Sequence, residues 1–177
     1  MTMVRFRFAP QKALAAIHWM IGEVPGLDLH TLMKAVYFAD KAHLNKYGRP
    51  IFGASYRAMK YGPVPVEIYE MAKGEPLWLA ELERQQFPWQ LMGYKLAPTS
   101  NETPDTGVLS ESDMAELKDG LRLSSSMTFN SRTAATHGSD WQRAELGWMH
   151  YEDMLDDTDD KEDRVAYLRE TAQYARL

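Results

Sequence analysis

LHTLMKAVYFADKAHLNKYGRPIFGASYRAMKYGPVPVEIYEMAK, residues Leu29 to Lys73, joins a long helix pattern, a Gly48-Arg49-Pro50 turn, a short extended segment and a Tyr61-Gly62-Pro63 entry into another helix. Successive residues of a helix sit about 100° apart around its axis. On that wheel Leu29, Leu32, Met33, Val36, Leu44 and Tyr47 share one face, Asp40 and His43 fall in the middle of it, and Phe38 points the other way. Polar groups inside an apolar stripe, and an aromatic ring where water is expected, are local inconsistencies of the kind that gather at functional sites. Asp28 is a fitting N-cap for this helix, and Gly48 with Pro50 should stop it near Tyr47.

Working outward, Val4, Phe6 and Phe8 alternate with Arg5 and Arg7 as a short strand or an extended lead-in. Pro10 opens a first helix with Leu14, Ile17, His18 and Ile21 on one side, ended by Gly22, Pro25 and Gly26. Beyond the long helix, Ile51 to Met59 carries a strand signal, and Gly62-Pro63 suits the start of a third helix that Gly74 stops. Trp78 to Glu83 reads as a short helix, Trp89 to Leu96 as a strand and Pro98 to Gly107 as a loop. Leu109-Ser110 with Asp113-Met114 forms a capping box with a hydrophobic staple, and Ser139 with Gln142 repeats the box signature. Gly138 should end the helix that carries His137. The expected fold is α+β and mainly helical, one domain of about five to seven helices with a small antiparallel sheet. Residues 1–150 form the body, and residues 151–177 form an acidic segment and terminal helix packed on it.

The 177 residues are enough for one domain that buries about 70% of its unfolded surface. No apolar run approaches the roughly 18 residues that would span a bilayer, and the N-terminus lacks a signal-peptide core. A cytoplasmic protein, without membrane partners, is expected. The absence of cysteine excludes disulfides, thiol catalysis and cysteine-ligated zinc. A net charge of -5 argues against wrapping nucleic acid, whose affinity depends on neutralising phosphates. No His-x-x-x-His pair, P-loop, dinucleotide fingerprint or Gly-x-Ser-x-Gly turn occurs, so no metal, cofactor or catalytic residue is assigned.

Lys34-Ala-Val-Tyr-Phe-Ala-Asp40, His43-Leu-Asn-Lys-Tyr-Gly-Arg-Pro50 and Ala58-Met-Lys-Tyr-Gly-Pro-Val64, with a weaker Thr136-His137 and Trp141, resemble the Panacea (SocA-like) domain of bacterial and phage toxin–antitoxin modules. The resemblance runs from about Pro10 to Trp148. It implies a non-catalytic antitoxin that binds a cognate protein toxin, masking it or delivering it to a AAA+ protease. The rival readings are a DNA-binding regulator of its own operon, using a patch of Lys34, Lys41, Lys46, Arg49 and Lys60, and a small hydrolase built on Asp40 and His43.

Candidate partner contacts are Phe38, Asp40, His43, Arg49, Tyr61, Trp78 and Trp89. Asp40 and His43, three apart, are neighbours on the helix surface. They could orient one another for general-base chemistry or form a buried network, with Asp40 accepting from the backbone at Gly62-Pro63. Trp78 and Trp89 could present aromatic anchors, as could Phe38 unless its helix is covered on both sides. The acidic run Glu152 to Asp163 is either a partner-binding arm or a solvated loop before a packed helix.

Overall fold

Asp28 and Gly48 bound the helix around which everything else is arranged. In the computed structural model, which describes residues 3–177, helix α1 spans Pro10–Glu23 and α2 spans Leu29–Tyr47. The Asp28 carboxylate accepts from Thr31 N at 2.8 Å and Thr31 Oγ1 at 2.7 Å, satisfying orphan donors of the first turn. At the other end Gly48 adopts φ 77°, a left-handed conformation that an L side chain strains to reach, and its N–H closes on Leu44 O.

Helix α5 (Glu111–Ser125) lies along α2. Its Gly120 sets the distance: a Cβ there would stand 2.6 Å from Ala35 O and 3.2 Å from Ala39 Cβ. Ser124 Oγ then donates to Thr31 O at 2.7 Å. The capping box forms as expected, Ser110 Oγ accepting from Asp113 N and Asp113 from Ser110 N, each at 3.0 Å. With α5 on one side and the core on another, α2 buries Lys34, Tyr37, Asp40 and His43 alongside its apolar stripe. Phe38 is half-buried and packs against the core, so it is no free anchor. Tyr47, placed on the apolar face by the helical wheel, is the last residue of the helix and is 54% exposed.

Two antiparallel hairpins replace the single expected sheet. Strands β1 (Tyr56–Met59) and β2 (Gly62–Pro65) pair Met59 with Gly62 across the Lys60-Tyr61 turn. Residues 62–65 therefore form a strand, and the third helix, α3 (Val66–Ala72), starts four residues later than expected. Proline at the start of a helix and proline on a sheet edge have the same local signature. Helix α4 spans Pro76–Glu81. The expected strand from Trp89 to Leu96 is the hairpin β3 (Trp89–Met92) and β4 (Lys95–Pro98), folded at Gly93. It docks on the start of α2 through Leu29 N to Tyr94 O and Leu96 N to Leu27 O.

Short helices α6 (Phe129–Ala135), α7 (Ser139–Arg143), α8 (Tyr151–Met154) and α9 (Lys161–Thr171) complete the chain, making nine α-helices among the described residues. The second capping box does not form: Gly138 is the N-cap of α7, and the Gln142 amide donates to His137 O. Thr136 and His137 lie just past α6 and outside any helix. Residues Asp156 to Asp160 are exposed, whereas Leu168 of α9 is buried and Arg164 donates to Asn45 O at 2.6 Å.

Candidate functional site

Lys34, Tyr37, Asp40 and His43 recur every three residues on α2, a spacing that winds slowly around the helix, and each reaches a different element. Lys34 Nζ donates to Pro63 O at 2.7 Å on β2. The Tyr37 hydroxyl donates to Asp140 of α7, which also pairs with Lys41 at 3.2 Å. Asp40 Oδ1 accepts from Ile51 N at 2.8 Å and Phe52 N at 3.4 Å, and Oδ2 from the Tyr56 hydroxyl at 2.5 Å. Asp40 therefore braces the segment leading into β1. The expected contact with the Gly62-Pro63 turn is made by Lys34 instead, because the turn offers a carbonyl and so calls for a donor.

His43 Nδ1 faces Arg49 O at 2.8 Å, which can only accept, so Nδ1 carries the proton and Nε2 accepts from the Ser112 hydroxyl at 2.9 Å. Asp40 and His43 form no pair. Arg49 and Lys12 close on Asp113 at 3.1 Å and 2.7 Å, beside the same imidazole. Burial pushes the His43 pKa down and lifts that of Asp40 to about 6, the latter against the pull of its three donors. Asp40 and His43 are fully buried, so neither is placed to touch a partner.

Where Lys34 meets the first hairpin, a cavity of about 800 Å³ opens to the surface. Leu29, His30, Met33 and Lys34 of α2 form its floor, the Met59–Gly62 turn and Val64 one wall, and Phe129 and Arg132 of α6 the other. Tyr94 stands at its mouth, 81% exposed. Tyr61, 48% exposed, meets Phe129, 45% exposed, edge-on at 5.2 Å between ring centres. Gly62 has φ 112°, and a Cβ there would meet Thr136 Oγ1 at 2.5 Å and Lys34 Cε at 2.8 Å, so the glycine clears the lysine's path. Trp141 Nε1 donates to Met59 O at 2.9 Å and stacks on His137, fixing the hairpin tip from outside.

The groove is cationic at its base. Arg132 donates to Ser124 O, Met127 O and His30 Nδ1. Because Arg132 can only donate, Nδ1 of His30 is the unprotonated nitrogen, and Nε2 donates to Tyr61 O at 3.2 Å. Burial and the neighbouring Lys34 and Arg132 push His30 down to about 4. Burial, with Arg132 adding to it, pushes Lys34 down to about 7.

A family model described as antitoxin SocA-like, Panacea domain, matches residues 32–142. The chain belongs to this family. No curated protein and no solved structure matches it. The matched span of the Panacea domain holds every contact of the Lys34, Tyr37, Asp40 and His43 series, and most of the groove.

Of the seven candidate partner contacts named from the sequence, Tyr61 alone lines the groove. Trp78 is half-buried, its Nε1 bonded to Glu70 at 2.8 Å and its ring edge-on to Phe8, and Trp89 is 4% exposed and stacked on Phe87. Trp89 is core, and Trp78 is half committed to it. The five cations of the supposed basic patch are dispersed: Lys34 is buried, Lys41 pairs with Asp140, Lys46 with Glu116 at 2.6 Å and Arg49 with Asp113, leaving Lys60 over the Tyr61 ring. His30, Tyr94, Phe129 and Arg132 were not legible as site residues. The one local sign was an aromatic beside a turn or cap residue, Tyr94 after Gly93 and Phe129 after Thr128.

Proposed function

We propose that this Panacea domain is an antitoxin that neutralises a protein toxin by direct binding, and that the groove between α2, the first hairpin and α6 is the contact surface. Family membership gives the role in general terms. The observation that carries the placement is the groove itself, an aromatic-rimmed cavity whose floor and wall are tied together by Lys34, Gly62, Pro63 and Thr136 of the family motifs. Tyrosine and phenylalanine, partly exposed and backed by a rigid wall, are suited to act as binding anchors, because little conformational freedom is lost when a partner covers them.

Neutralisation on this reading is binding and not chemistry, and it takes place in the cytoplasm. Asp40 and His43 are consumed by scaffold contacts. The dispersal of the lysines speaks against the DNA-binding reading, for which an electrophoretic shift on the upstream DNA is the check.

The test is affinity for the protein encoded in the adjacent reading frame. Tyr61→Ala and Phe129→Ala should each weaken the complex about 30-fold or more, the loss that follows from removing an anchor worth about 2 kcal/mol. Tyr174→Ala, at an exposed residue outside the groove, should leave affinity unchanged. If both rim substitutions leave affinity unchanged, the groove is not the contact surface.

A further inference from the structure

Lys34 carries an amine 2% exposed, at the base of a mainly apolar cavity, with a single backbone carbonyl as acceptor. Its three N–H donors can each take an oxygen. Among the described residues no carboxylate forms an ion pair with Lys34 or with Arg132. The nearest acid of the groove, Asp28, is already spent on the cap of α2. A buried cation without a counter-charge is costly to hold, and a carboxylate placed against it supplies the missing compensation.

Resting on the antitoxin reading, we propose that the groove takes an acidic side chain of the toxin, flanked by apolar residues, whose carboxylate pairs with Lys34 Nζ beneath the Tyr61–Phe129 rim. The chemistry selects this occupant. Lys34 in the floor and Arg132 at the base of the α6 wall supply positive charge, while Met59 and Tyr61 on one wall and Phe129 on the other supply apolar surface on both sides of it. An all-apolar segment would leave Lys34 buried and unpaired, and a basic one would be repelled. A carboxylate on a short stem between two hydrophobes satisfies both layers. Partner binding is thereby coupled to Lys34: pairing favours its charged form, whereas burial in the free protein disfavours it.

The experiment is a double-mutant cycle on the complex with the toxin encoded alongside. Each Asp and Glu of the toxin is changed in turn to its amide, and each variant is titrated against the unsubstituted chain and against Lys34→Met. One amide variant and Lys34→Met should each weaken binding about 30-fold or more, and together no more than either alone. Where Met at position 34 lowers folding, Lys34→Gln, which keeps a neutral N–H donor on the side chain, replaces it.

Calorimetry at pH 8 in buffers of different ionisation enthalpy adds a second reading: close to one proton should be taken up per complex, and none with the Lys34 variant. Asp28, His30, Lys60, Tyr61, Tyr69, Tyr94 and Arg132 also face the cavity, and the variant separates their protons from that of Lys34. Binding within threefold of the unsubstituted chain for Lys34→Met, or no acid coupled to it, overturns the proposal while leaving the antitoxin reading intact. So does a small carboxylate, acetate or succinate, occupying the groove without competing with the toxin. Failure of the unsubstituted chain to bind the toxin overturns both.

Discussion

Replacing Asp40 with Ala removes an acceptor that three donors share, and its cost can be worked from their geometry. Ile51 N at 2.8 Å and the Tyr56 hydroxyl at 2.5 Å are good bonds, and Phe52 N at 3.4 Å is a marginal one. A buried donor stripped of its acceptor costs about 1–3 kcal/mol, so the two good bonds represent roughly 2–6 kcal/mol. Tyr56 is 2% exposed and has no water to turn to. Against that stands the desolvated charge, for burial lifts Asp40 to about 6. Compared with an ordinary carboxyl, that shift is roughly 3 kcal/mol, recovered at neutral pH when the charge is deleted. The balance runs from about 1 kcal/mol of gain to about 3 kcal/mol of loss for Asp40→Ala, centred on a loss of about 1 kcal/mol.

Asp40→Asn keeps an acceptor for Ile51 N and carries no charge, so it should be less damaging at pH 7 than Ala. The pH dependence has a definite sign. With the folded pKa above the unfolded one, the folded state holds more protons between about 4 and 6. Stability from this group therefore falls as pH rises through that window and is flat above it. The advantage of the native chain over Asp40→Asn should shrink from pH 4 to pH 6. Urea unfolding of the three proteins at several pH values is the assay. An Ala variant that loses more than about 3 kcal/mol at pH 7, or gains more than about 1, would refute the reasoning, as would an Ala variant more stable than the Asn one.

Gly120→Ala gains about 1 kcal/mol of helix propensity but drives a methyl to 2.6 Å from Ala35 O, and overpacking against backbone that cannot turn away costs about 1–3 kcal/mol or more. A net loss in Tm is expected, and a gain would mean that α5 does not lie this close to α2. Leu168→Ala should cost about 2–4 kcal/mol in urea unfolding if α9 is part of the packed body, and less than about 0.5 kcal/mol if the tail is an independent arm. Lys34 is pushed down to about 7 in the folded state, so the unfolded chain binds more protons above that value and stability from this group rises with pH from about 7. Lys34→Met should abolish that rise between pH 7 and 9, which unfolding at matched ionic strength will show.

The parts of the fold legible in the sequence are those with local causes. Asp28 and Gly48 bound α2, and Ser110 with Asp113 starts α5, because caps act within four residues. The first hairpin was hidden, since Gly62 and Pro63 serve a helix start and an edge strand equally well. The burial of Lys34, Tyr37, Asp40 and His43 follows from separate elements closing on α2, with Pro63 of β2, Asp140 of α7, the segment from Ile51 to Tyr56 and Ser112 of α5 each covering one of them, and no local pattern in α2 announces these partners. Asp40 was recognisable as a polar residue in an apolar stripe, but its partners are decided by how the chain returns from Arg49 to Tyr56. The groove depended on still longer contacts. His30 and Arg132 meet across a hundred residues, and no periodicity in either segment announces it. Trp89, expected as an anchor, stacks on Phe87 inside the protein, because a single aromatic has the same sequence signature in a core and at an interface.

The central claim is that this Panacea domain neutralises a protein toxin through the groove. Co-expression of the chain with the adjacent toxin, scored as survival of the host, tests it most directly. The native chain and Tyr174→Ala, outside the groove, should restore growth, whereas Tyr61→Ala combined with Phe129→Ala, folded and at equal abundance, should not. Full rescue by that double variant would contradict the account.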